Sequence, residues 1–180
     1  MLRRCFLVGT GTLALPAMAQ SEAFPLGVAS GCPRPTSVVL WTRVTREAPV
    51  VWAIAEDEGM RRIVHTGFAT AEARWGHSVH VDVDGLKPGR PYWYRFTTNG
   101  QESPLGRTCT APAPTDRPTA LRFAFASCAQ YEHGYYAAYR HLAAEPLDAV
   151  LFLGDYIYEA SWGRNLVRHH AGGRATLLPE

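Results

Sequence analysis

The segment Leu147-Asp148-Ala149-Val150-Leu151-Phe152-Leu153-Gly154-Asp155-Tyr156-Ile157-Tyr158-Glu159-Ala160-Ser161 joins an apolar run to a dense patch of oxygen donors. The run is bounded by Pro146 and Gly154 and has the length and composition of a strand buried on both faces of a layered α/β domain. Open α/β sheets bind ligands beyond the carboxyl ends of their strands. Asp155, Tyr158 and Glu159 therefore stand where anionic oxygens would serve a site. Gly and Asp are also common turn formers, and on spacing alone the pair reads equally well as the close of a core strand.

Working back toward the N-terminus, Leu121 to Ala126 reads as a first strand and residues 134–144 as a helix, with Tyr135, Ala138, Tyr139 and Leu142 at helical spacing. With the strand from Asp148 to Leu153 they form a βαβ unit that opens a parallel sheet. Ser127-Cys128 ends the first strand and Asp155 ends the second. Neighbouring strands lie about 4.8 Å apart, so the two side chains are expected to converge on one crevice, with the Tyr158 phenol nearby. A thiolate, a carboxylate and a phenolate make a ligand set for a hard, highly charged cation. A phenol of pKa about 10 ionises near neutral pH only when a strongly acidic ion such as ferric iron holds it. Two strands and one helix leave a parallel sheet uncovered, and residues 165–180 are polar, glycine-rich and basic, with no further strand. The expectation is that these 180 residues are the front part of a longer design, truncated or no longer active.

Earlier in the chain the pattern is different. From Phe24 to Thr110 short alternating or apolar runs are cut by turn residues: 25–29, 37–44, 50–55, 62–68, 78–83 and 92–97. Their β-branched and aromatic enrichment predicts an antiparallel sandwich of about seven strands over residues 20–111. Leu86-Lys87-Pro88-Gly89-Arg90-Pro91-Tyr92 resembles the corner before a late strand of fibronectin-type-III-like modules, where a tyrosine bonds back to the preceding turn. The aromatic residues at 41, 52, 75, 92, 93 and 94 read as core and sheet-face packing rather than a ligand cage. Residues 112–118 carry three prolines and read as a linker to an α/β domain over 119–180.

Residues 1–19 differ in kind: Arg3-Arg4, a short apolar stretch from Phe6 to Leu15, and Ala17-Met18-Ala19 at its end. They read as a signal peptide of the twin-arginine type, too short for a membrane anchor, which implies export in the folded state to a bacterial periplasm or beyond. Removing them takes the formal net charge from +2 to zero, leaving no basic excess to argue for nucleic acid or a membrane surface. Cys5 leaves with the signal, and Cys32, Cys109 and Cys128 remain. Because Cys32 and Cys109 end predicted strands of one domain and Cys128 lies across the linker, a Cys32–Cys109 disulfide is expected, with Cys128 left for metal.

Phe123-Ala124-Phe125-Ala126-Ser127-Cys128-Ala129-Gln130-Tyr131-Glu132, Gly134-Tyr135-Tyr136 and Gly154-Asp155-Tyr156-Ile157-Tyr158-Glu159 resemble the PhoD-like alkaline phosphatase/phosphodiesterase family. Phe24-Pro25-Leu26-Gly27-Val28-Ala29-Ser30-Gly31 and Val39-Leu40-Trp41-Thr42-Arg43 are similar to that family's sandwich domain. The resemblance implies a secreted hydrolase of small phosphomonoesters or phosphodiesters with a metallophosphoesterase-like α/β core and Fe3+ and Ca2+ as cofactors. It also implies that Cys128 and Tyr158 bind the iron and that Asp155 bridges it to calcium and is essential to catalysis. The family's later ligands, including an Asp-Asp-His-Glu segment, lie beyond Glu180. Arg164, Arg168, His169 and His170 are weak candidates for phosphate contact, and a solvated loop is the stronger reading. Two competing readings remain: a cell-envelope sandwich binding module with a vestigial catalytic part, and a cysteine hydrolase using Cys128 with His133 or His141 as base and Asp155 as orienter.

Overall fold

Alternation of apolar and polar residues forces the strands of the first part to bury every second side chain. In the computed structural model, which describes residues 22–156, 158 and 162–167, this pattern is realised strand by strand. The eight strands of the first unit are β1 (Val28–Gly31), β2 (Val38–Arg43), β3 (Ala48–Ala55), β4 (Ile63–Ala71), β5 (Ser78–Val83), β6 (Pro91–Thr98), β7 (Gln101–Glu102) and β8 (Gly106–Cys109). A 3-10 turn, Ala73–Trp75, interrupts them where no helical segment is expected. One antiparallel sheet has the order β1-β2-β5; the other runs β4-β3-β6-β7, with β8 also paired to β6.

The two sheets share one core. Val38 and Leu40 of β2, the alternate valines 79, 81 and 83 of β5, and Val50, Ile54, Tyr92, Tyr94 and Phe96 of the second sheet pack into a single cluster sealed by Phe24. Each large apolar side chain fully buried here contributes about 1.5–3 kcal/mol. The threonines that take core positions are satisfied: Thr42 Oγ1 donates to Gly27 O and Thr98 Oγ1 to Pro49 O, both at 2.8 Å. The expected corner is formed, with Tyr92 Oη accepting the Lys87 N–H at 2.9 Å. Tyr92 and Tyr94 are core residues, whereas Trp75 is exposed with Arg74 over its ring.

The expected Cys32–Cys109 disulfide is not formed. Cys32 follows the end of β1 with a left-handed backbone (φ 48°), and Cys109 Sγ is turned to the Thr110 carbonyl at 3.4 Å. The signal peptide expected over 1–19 lies outside the described residues, and among the described residues no helix is long and apolar enough to cross a membrane.

The chain divides between Asp116 and Arg117. In the second unit β9 (Phe123–Ala126) and β10 (Ala149–Phe152) pair in parallel, with α1 (Ala137–Ala144) in the crossover. The helix begins three residues later than its periodicity suggests because Tyr136 takes a left-handed conformation (φ 55°) just before it. Tyr139 of α1 packs on Phe152 of β10 at 6.2 Å between ring centroids. Val150, Leu151 and Phe152 of β10 are 39–50% exposed, as expected where two strands and one helix leave a parallel sheet uncovered. The sheet has two strands and α1 is the one helix of eight residues beside it among the described residues, so most of its surface meets solvent.

Candidate metal centre

The parallel ladder does not stop where the strands end. Leu153 N donates to Ala126 O at 2.9 Å, Cys128 N to Gly154 O at 3.4 Å and Ala129 N to Asp155 O at 3.0 Å, so the two loops leave the sheet side by side. Here the backbone turns sharply. Cys128 (φ 56°) and Asp155 (φ 48°) are left-handed without being glycine, and Gly154 between strand and carboxylate has φ 124°. Non-glycine residues held this way cost about 1–3 kcal/mol each and cluster at functional sites.

The turns bring the side chains together on one atom. Asp155 Oδ2 lies 3.6 Å from Cys128 Sγ and accepts the Tyr158 hydroxyl at 3.1 Å. The Tyr158 phenol is held above its ordinary range, first by hydrogen bonding with Cys128, then by lost solvation and by the Asp155 carboxylate. The S–H and O–H donors thus converge on one carboxylate oxygen. A cation that displaced both protons would meet a thiolate, a phenolate and a carboxylate, a donor set suited to a highly charged ion able to bind sulfur. Among the described residues no three His, Cys, Asp or Glu side chains form a cluster; the phenol is what completes the trio. For calcium, with its six to eight oxygens, the same three residues fall well short.

A cavity of about 420 Å³ opens beside Cys128, between the end of β9 and α1, lined by residues including Phe125, Gln130, His133 and Tyr139. His133 faces it, yet its ring stacks edge-on against Trp162 at 5.2 Å, whereas Cys128 bonds to Asp155. His141 is exposed on α1. A cysteine nucleophile needs a base bonded to its sulfur, and here that partner is a carboxylate. Arg164 lies over Trp162 at 6.0 Å; Glu159, Arg168, His169 and His170 fall outside the described residues.

The sequence did not single out Glu132 and Trp162. Glu132 is 4% exposed in the 3-10 turn Tyr131–His133, where its carboxylate accepts the Trp162 N–H at 3.3 Å. A charged residue beside aromatic neighbours in the Cys128 loop was the only available signal.

Known proteins resemble both parts of the chain. Residues 11–112 match the N-terminal domain of PhoD-like phosphatases and residues 123–179 match the PhoD-like phosphatase itself. The chain is 51% identical over 150 residues to alkaline phosphatase D of Bacillus subtilis (strain 168), covering 77% of this chain and 26% of that protein. The solved structure of PhoD superposes with a TM-score of 0.75 at 51% identity, over 78% of this chain and 29% of that one. The chain thus spans well under a third of the length of these relatives. The two-sheet β-unit and the parallel β9–β10 pair fall within the matched segments, and the chain belongs to the PhoD-like phosphatase family.

Proposed function

We propose that the chain contributes the sandwich and the first part of the metal centre of an exported, metal-dependent phosphoester hydrolase. The observation that carries this reading is the convergence of Cys128 Sγ and Tyr158 Oη on Asp155 Oδ2 at 3.6 and 3.1 Å. Ferric iron is the ion that this trio suits, and a bound metal of this kind supplies Lewis acidity toward phosphoryl oxygens. Cys128 as thiolate, Tyr158 as phenolate and Asp155 as carboxylate would hold such an ion, with Ca2+ as the second cofactor. That second ion needs donors beyond these three. The substrate is a small phosphomonoester or phosphodiester, and residues 1–19 direct the protein through the twin-arginine machinery to the periplasm or the exterior. The sheet order β1-β2-β5 against β4-β3-β6 and the Tyr92 corner support a fibronectin-III-like module, and β9-α1-β10 supports the opening of a metallophosphoesterase-like layer.

The test is ferric titration of the purified, metal-free chain, followed by visible absorption and elemental analysis. One iron per chain with a phenolate-to-iron band is expected, lost in Tyr158→Phe, with binding lost in Asp155→Asn. A chain that retains neither iron nor calcium sinks the reading and leaves the sandwich-binding alternative standing.

A further inference from the structure

We infer that Glu132 and Trp162 are positioning residues for Tyr158: a buried carboxylate clamps the loop after β10 so that the Trp162 ring braces the phenol against Asp155. The inference rests on the reading of Tyr158 as a site residue. Tyr158 lies three residues past Asp155, and Trp162 lies four residues beyond it. The 3-10 turn Tyr131–His133 follows Cys128 on the neighbouring strand end.

Two contacts tie residues 162–167 to that turn, and a third ties them to Tyr135 just after it. Trp162 N donates to Glu132 Oε2 at 3.3 Å, Val167 N donates to Glu132 O at 2.8 Å, and Tyr135 Oη donates to Val167 O at 3.4 Å. Glu132 therefore holds the returning chain with both its carboxylate and its carbonyl. The Trp162 ring is then set between two others: His133 meets it edge-on at 5.2 Å and 88°, and Tyr158 meets it edge-on at 6.0 Å and 83°. Edge-to-face pairs at such separations contribute about 0.5–1.5 kcal/mol beyond area burial and fix the relative tilt of the rings. Tyr158 thus has a hydrogen bond at its hydroxyl, to Asp155, and an aromatic wall along its ring. Glu132 is 4% exposed, and a buried carboxylate is costly unless its bonds are made. Glu132 acts through the backbone and a ring.

The experiment uses the metal-free 180-residue chain with 13C-labelled tyrosine, read by NMR. Tyr158 ring signals are assigned through Tyr158→Phe, and Tyr139, which packs on Phe152, reports whether the second unit is folded. Glu132→Ala and Trp162→Leu are expected to move the Tyr158 signals to the position of a solvent-exposed tyrosine while Tyr139 stays put. Glu132→Gln, which keeps an acceptor oxygen, is expected to restore them. If Glu132→Ala also displaces Tyr139, Trp162→Leu decides, since it keeps the backbone donor and removes only the ring. Tyr158 signals unmoved in Trp162→Leu overturn the inference. A ferric titration of the same samples adds a second readout: loss of an outer partner is expected to weaken binding about 10- to 100-fold. Unchanged affinity in both variants contradicts the inference. A wild-type chain that binds no ferric ion yet shows the Tyr158 displacements refutes the iron reading and leaves the positioning role intact.

Discussion

Gly106→Ala is the substitution whose cost can be worked most directly from the structure. Gly106 of β8 stands opposite Tyr94 of β6, and a methyl group added there would meet the Tyr94 ring at 2.2, 2.5 and 2.6 Å. Carbon atoms rest about 3.5–4.0 Å apart, so β8 or the ring must yield by more than about 1 Å. Neither can do so cheaply. Tyr94 is 2% exposed, lies edge-on to Phe96 at 6.1 Å, and β8 is held to β6 over four residue pairs. Overpacking a core costs about 1–3 kcal/mol, and a clash this deep belongs at the upper end. Alanine's smaller unfolded-state entropy returns about 0.4–1 kcal/mol, which leaves a net loss of about 2 kcal/mol. For a unit of this size 1 kcal/mol moves the midpoint by about 4–8 °C, so Tm is expected to fall by about 8–16 °C. Thermal melts followed by near-ultraviolet circular dichroism, which reports the buried tyrosines, are the measurement. Adding Tyr94→Leu should restore part of the loss, because the coupling is a direct contact. A midpoint within error of wild type would refute the steric argument.

Burial pushes the Tyr94 phenol up to about 12, with Ser30 opposing the shift in part. Between pH 10 and 12 the unfolded chain has lost this proton and the folded chain keeps it, so stability is full below pH 10 and falls by about 1.4 kcal/mol per pH unit above it. Denaturant midpoints across that range should show the fall, and Tyr94→Phe should flatten it; an equally steep decline in the variant would assign it to other groups. Tyr92→Phe leaves the Lys87 N–H without its 2.9 Å acceptor and is expected to cost about 1 kcal/mol in urea unfolding, with the slope unchanged. An effect near zero would mean that water replaces the hydroxyl. Asp155→Asn is expected to abolish ferric binding without lowering the stability of the sandwich, checked by titration and melting of one sample; retained one-to-one iron would reduce Gly154-Asp155 to a turn.

The sandwich was readable in the sequence because its signals are local. A period of two, in runs such as Ser78-Val79-His80-Val81-Asp82-Val83, fixes which side chains face inward whatever else the chain does. The βαβ order was likewise legible, since an apolar run, a helical stripe and a second apolar run leave one short right-handed connection. The meeting of Cys128 with Asp155 follows from that order, because parallel neighbours bring their carboxyl ends to the same edge. The disulfide parity argument failed at the same scale at which it was made: counting and strand ends do not specify the direction of a sulfur, and Cys109 turns toward Thr110.

The sequence by itself determined the strand faces, the order of the two units and the residue types available at the strand ends, because each of these depends on neighbours within a few positions. Only the tertiary structure decided that Tyr158 reaches Asp155 rather than solvent and that Glu132 takes hold of a segment thirty residues away. These outcomes depend on which distant surfaces come into contact, and a one-dimensional pattern carries no term for that.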